Sequence, residues 1–185
     1  MTRVGKKTVA TGRVPVKLED MSAERRALHE KLLAEPGMRM FSQLFKLKDN
    51  PRLLVLVAHG MLELMVNALI DAKLKNAKKV TSDTRGYPHS TRLLVLNEMG
   101  VLSDRMYKSL EWFRRLRNRA AHEPLFEVTA QDLQILREKY PNPDKLHKFM
   151  VDLMCGFWNQ HTEIFLPVFM PTLAERAKRA RGGAS

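Results

Sequence analysis

The stretch LLVLVAHGMLELMVNALI, residues 53–70, constrains this chain most. It approaches the length of a membrane span, yet His59, Glu63 and Asn67 interrupt it at four-residue spacing, which is costly in lipid. A segment this apolar on nearly every side has to be enclosed by neighbours, so it predicts the central helix of an all-α helical bundle and no membrane insertion. Asn50-Pro51 marks its start, because asparagine caps well and proline suits the first helical position, where its missing N–H is not needed. The helix is expected to run to about Lys75.

The neighbours are legible from their punctuation. Ser22 reads as the cap of a helix over AERRALHEKLLAE, ended by Pro36-Gly37 and followed by a short amphipathic piece, MRMFSQLFKL. Residues 76–89 read as a polar loop. STRLLVLNEM reads as a helix closed by Gly100, and Ser103 as the cap of DRMYKSLEWFRRLRNRAAH, which must stop near His122 because Pro124 disfavours helix in the residue before it. Thr129 and Asp132 form a capping-box variant ahead of AQDLQILREKY, PNPD is a turn, and a long helix is expected from about Asp144 to Phe165. LFEVT alternates weakly, and nothing else suggests a strand. The 185 residues suit one domain over 21–170, with a basic arm at 1–20 and a basic flexible tail at 171–185.

Charge narrows the partners. The formal net charge of +12 sets up a field that attracts polyanions such as nucleic acid. The single cysteine, Cys155, excludes an intrachain disulfide or thiolate cluster and reads as a small core residue. The opening MTRVGKKTVATGRVPVKLED has no apolar stretch of signal-peptide length, so a cytoplasmic location is expected.

The chemistry concentrates in RRLRNRAAH, residues 114–122. An exposed helix normally mixes acids among its bases, and here none occurs before Glu123. By helical count Arg115, Asn118 and His122 share a stripe with Arg119 beside it, and Arg117 lies off it. Tyr107, Leu110, Phe113, Leu116 and Ala120 form the apolar face. Arg114 and Arg117 flank that face, where their stems can cover apolar surface.

Arg117-Asn118 followed by three residues and His122 resembles the Arg-x4-His motif of the HEPN (higher eukaryote and prokaryote nucleotide-binding) superfamily. LLVLNEMGVLSDRMYKSLEWFRRLRNRAAH, with its Gly-Val-Leu turn, is similar to bacterial HEPN-like proteins of the mannitol operon repressor type, and ELMVNALI resembles their core helix. The resemblance covers roughly residues 50–125.

It implies a homodimer that engages RNA, and a metal-independent endoribonuclease of toxin or defence type in which a 2′-hydroxyl attacks the adjacent phosphate. Histidine titrates near neutrality, so His122 is the expected proton carrier. Arg117 is expected on the phosphoryl oxygens, and Asn118 on the histidine or a phosphate oxygen. Arg114, Arg115 and Arg119 are the expected substrate-binding cations. A cognate antitoxin or regulatory partner protein also follows from the resemblance.

The alternative is a non-catalytic transcription regulator or adaptor like the mannitol operon repressor. There the basic helix end complements the helix dipole, and an Arg/His pair packs on Glu63, which needs a counter-charge if buried. His59, Glu63 and Asn67 then form a supporting hydrogen-bonded seam. One carboxylate and one histidine make a poor metal site, so neither metal nor cofactor is expected. Glycine-loop, zinc-protease and nucleophile-elbow signatures are absent from the sequence. A helix-turn-helix at EMGVLSDRMYK is disfavoured because Trp112 and Phe113 fall on the side a bundle buries.

Overall fold

A computed structural model describes residues 22–132 and 146–182. Among them lie nine helices and no strand, an all-α bundle. α3 (Pro51–Lys73) is its axis, packed against α2 (Pro36–Lys46), α4 (Ala77–Ser82), α5 (His89–Glu98), α6 (Asp104–His122), α7 (Leu146–Gln160) and α8 (Thr162–Phe169). The Asn50 side chain accepts from the amide of Leu53 at 3.0 Å, and Pro51 takes the first turn. By length and composition α3 could cross a membrane, but 11 of its residues are buried within the bundle, His59 among them.

Several boundaries differ from the sequence expectation. α1 (Ala23–Leu33) is capped by Ser22, but Pro36 begins α2 instead of ending α1, because proline supplies the first-turn φ and lacks a donor. Gly37 lets α2 approach the α8–α9 junction: a Cβ there would lie 2.8 Å from Met170 Cγ. The polar stretch after α3 folds partly into α4, which seats Val80 in the core. The long helix expected to Phe165 breaks into α7 and α8 at His161, whose ring sits between Phe157 and Phe165 at 5.6 and 5.8 Å. LFEVT forms no strand: Leu125 lies in a turn and 126–129 have no regular structure.

Two expectations are overturned outright. Residues 171–182 are not a tail but α9 (Pro171–Gly182), which buries Ala174 and packs on α1 and α8. Glu35, buried at the start of α2, accepts from the amide of Thr172 at 2.6 Å and so caps α9 across the fold. Cys155 is exposed on α7 and is not a core residue. The basic arm at 1–20 and most of the helix expected after Thr129 lie outside the described residues.

Candidate functional site

α5 and α6 are set by an end motif that the sequence announces. Gly100 has φ +69, the amide of Val101 reaches back to the Leu96 carbonyl at 2.9 Å, and that of Gly100 to Asn97 at 2.8 Å. This double closure ends α5 and turns the chain sharply. Ser103 then caps α6, accepting from Met106 at 3.3 Å. Met106, Leu110, Phe113, Leu116 and Ala120 bury the inner face of α6, with Tyr107 half-buried beside them. The far end of α6 is held by a residue that the sequence did not single out. Arg52 of α3 donates to the Ala120 carbonyl at 2.8 Å and to that of Pro124 at 3.1 Å, placing a cation where the last carbonyls leave partial negative charge.

The basic run divides by helical phase. Arg117 donates to Asn118 Oδ1 at 3.3 Å, so those two motif residues are together. His122 is exposed at the end of α6 and makes no hydrogen bond or ion pair among the described residues. It stands one turn beyond Asn118, about 6 Å along the axis. Around the helix, however, Arg117 and His122 project about 140° apart. One chain therefore joins Arg117 to Asn118, and Asn118 to His122, without converging all three on one point.

The other arginines are placed unequally. Arg115 is exposed and unpaired among the described residues. Arg114 is held by Glu111 at 3.0 and 3.1 Å. Arg119 pairs with Glu123 at 3.0 Å, bonds Asp132 closely, and lies 5.8 Å from the Phe126 ring centre. These bonds push its guanidinium pKa up further, so it is a fixed structural cation. Asp132 also closes the expected box with Thr129: the two exchange bonds of 2.8 and 3.2 Å. Burial opposes charge on Asp132, but the bonds from Arg119 and Thr129 prevail and hold its carboxyl below the usual range.

The polar seam of α3 does form, with different partners. Glu63 meets Arg92 of α5 at 4.0 Å, and no Arg/His pair from α6 packs on it among the described residues. It is also less buried than a ring of leucines suggests, at 37% side-chain exposure, because α3 turns that edge outward beside α5. Arg92, only 1% exposed, donates to Asn67 Oδ1 at 2.8 Å and to the Thr81 carbonyl at 3.3 Å, which ties α3, α4 and α5 together. His59 faces His89 of α5, ring centres 4.9 Å apart, with Phe113 of α6 at 6.1 Å. Burial, then the positive field of Arg117 and Arg114, lowers the His59 pKa to about 4. Burial, then the adjoining His59 and the arginines 92, 114 and 117, lowers that of His89 to about 3. Both imidazoles are neutral at physiological pH.

Sequence reasoning missed Arg52, His89 and Arg92. Arg92 had a signal: it falls on the same face of its helix as the buried Leu93 and Leu96, where a cation needs an acceptor. Among the described residues no three His, Cys, Asp or Glu side chains cluster as a metal site. Neither a family model, nor a curated protein, nor a solved structure matches the chain.

Proposed function

We propose that this chain is a HEPN-like, RNA-engaging protein of the cytoplasm that works as a homodimer, and that it cleaves RNA without a metal through Arg117, Asn118 and His122. One observation carries the reading: a solvent-exposed imidazole, unengaged among the described residues, stands one helical turn beyond the bonded Arg117–Asn118 pair. An exposed histidine keeps access to a phosphodiester, and an imidazole can carry a proton at one nitrogen and accept one at the other, as general acid–base catalysis of 2′-hydroxyl attack requires. The guanidinium of Arg117 offers paired donors to phosphoryl oxygens as charge develops on them. Asn118 Oδ1 accepts from Arg117, and its amide end can donate to substrate. Arg115, exposed and unpaired among the described residues, adds an electrostatic contact to the backbone; the net charge of +12 brings the polyanion in. A cognate antitoxin or regulatory partner protein belongs to this same reading.

The divergence of Arg117 and His122 within a chain favours a site completed by two chains. It also supports the second reading, a regulator or adaptor of the mannitol operon repressor kind, in which Arg117 serves the interior and His122 touches a partner. The readings separate in one assay. The nuclease degrades single-stranded RNA in EDTA, and His122→Ala abolishes this while leaving the helical circular dichroism spectrum unchanged. Intact RNA after prolonged incubation, with salt-sensitive binding retained, rejects the nuclease and leaves the adaptor.

A further inference from the structure

The junction of α3, α5 and α6 holds more cationic and donor chemistry than the packing of helices requires. Two imidazoles, His59 and His89, meet here with ring centres 4.9 Å apart, within the positive field of Arg92 of α5 and of Arg114 and Arg117 of α6. Phe113 fixes the geometry, since it lies fully buried against His59, and Arg117 follows it by four residues on the same face of α6. Among the described residues the acids that pair with these arginines are Glu63, 4.0 Å from Arg92, and Glu111 on Arg114. Arg117 makes no ion pair among the described residues and donates to the neutral Asn118. Asn67 and the Thr81 carbonyl supply neutral acceptors to Arg92 only.

Three polar nitrogens of this cluster are buried without a hydrogen-bond partner among the described residues: His59 Nε2, His89 Nδ1 and Arg92 Nε. His59 and Arg92 are 5% and 1% exposed. Arg92 Nε is a donor, and the two imidazole nitrogens become donors on protonation; buried polar atoms left unpaired are rare in folded proteins, and three in one cluster point to a further partner. A cationic cluster with a spare guanidinium donor, two unpaired imidazole nitrogens and no unpaired carboxylate among the described residues is suited to an anion. The half-buried His89, Arg114, Arg117 and Asn118 form its outward side.

We propose that the α3–α5–α6 junction is a receptor for one phosphate-type oxyanion, seated between the His59–His89 imidazole pair and the guanidinium groups of Arg92 and Arg117. The anion accepts from Arg92 Nε and from the imidazole nitrogens in their protonated form, and it offsets the positive charge of the guanidinium groups. A negative group in contact with the imidazoles also favours their protonated form, so binding takes up protons. His122 projects from another side of α6 and is no part of the receptor. The inference shares only Arg117, with its bonded Asn118, with the proposed nuclease site and does not depend on RNA cleavage.

The test uses the full chain and two probes at constant ionic strength. Sulfate keeps its charge across the range studied, and inorganic phosphate is the nearer mimic. Imidazole NMR resonances of His59 and His89, assigned through His59→Asn and His89→Gln, are followed during titration. Saturable shifts of both histidines are expected, with sulfate affinity rising up to about tenfold per pH unit of acidification where one proton is taken up. Arg117→Gln and His89→Gln are expected to weaken binding at least about tenfold, the scale of losing one charge-assisted hydrogen bond. His122→Ala is expected to bind as the parent chain does, so loss of nuclease activity and loss of this receptor are distinguishable. A 5′-mononucleotide binding more tightly than phosphate identifies a nucleic-acid end as the source, and equal affinities identify free phosphate; either supports the receptor. Imidazole signals that stay still while anions bind, or full affinity in both Arg117→Gln and His89→Gln, overturn it, because the anion then sits elsewhere on the basic surface.

Discussion

The two sides of α6 carry the same residue types into opposite environments. On the inner edge, the field of Arg114 and Arg117 reaches the neutral imidazoles of the buried His59 and the half-buried His89. On the outer edge, Arg115 and His122 are exposed and unengaged among the described residues. The difference is one of helical phase, since these residues alternate within nine positions. A base-rich run is therefore two devices: a solvated edge that can meet a polyanion, and an inner edge that must find its partners inside the fold.

The sharpest way to break this division is to separate its halves between chains. Under the proposed function, Arg117→Ala and His122→Ala each lower RNA cleavage by roughly 10²- to 10⁴-fold. If Arg117 of one chain acts with His122 of the other in a symmetric dimer, mixing the two inactive variants rebuilds one intact site in each heterodimer. Roughly a quarter of the parent activity then returns, from half the dimers being mixed and half their sites intact. Activity that stays at the single-variant level after subunit exchange rejects a shared site.

The inner edge should instead report through stability. Arg92→Ala strands the Asn67 and Thr81 acceptors, leaves Glu63 without its counter-charge, and empties a fully buried volume. A loss of about 3 kcal/mol is expected in urea unfolding, at the scale of breaking a buried network. The equivalent change at Arg115 should fall within about 0.5 kcal/mol, because its side chain meets solvent. Equal losses at the two positions contradict the division.

Acidification separates the edges again. An unfolded histidine titrates near 6.5, whereas His59 and His89 hold at about 4 and about 3 in the folded chain. Between these limits the unfolded state binds more protons, so stability is full above pH 6.5 and falls as pH drops toward 4. With about 2.5 kcal/mol from each histidine, the drop is expected to reach roughly 5 kcal/mol by pH 4.5 in the absence of a tight anion. His59→Asn combined with His89→Gln should flatten this slope, and His122→Ala should leave it unchanged. A flat profile in the parent chain contradicts burial of the pair.

What the sequence reveals follows the range of each interaction. Asn50-Pro51, Gly100 and Ser103 act within four residues, and all end or begin helices as their chemistry predicts. Periodicity likewise places Leu110, Phe113, Leu116 and Ala120 in the core. Pairings across the bundle escape this reading. Glu63 plainly needed a cation if buried, but its choice of Arg92 over an α6 residue depends on how α5 lies across α3. The folding of 171–182 depends on Glu35, which is 137 positions from the amide it caps. Cys155 shares an apolar run with its neighbours yet falls on the one side of α7 left open. Of the candidate site, the run and its exposed histidine were legible; the His89–Arg92 wall behind it was not, because those residues look like an ordinary helix start.

Arg119 tests the boundary between the two edges, and the expected effect is the smallest. It looks like a substrate-binding cation in sequence, but Glu123 and Asp132 neutralise it and Phe126 lies alongside. Its side chain is 35% exposed, so solvent screens the network and Arg119→Gln should cost no more than about 1 kcal/mol. The Asp132 carboxyl, held below its usual range, keeps its contribution above about pH 4 and loses it only under stronger acid, outside the histidine window. RNA affinity should change little at moderate salt, because a cation already matched by two carboxylates displaces few counterions. Arg115→Gln, without such partners, should lower the slope of log affinity against log salt by about one unit, the share of a single phosphate-neutralising cation. A larger salt effect from Arg119 than from Arg115 reverses the assignment: the ion-pair network then opens on binding, and the polyanion takes the place of Glu123 and Asp132.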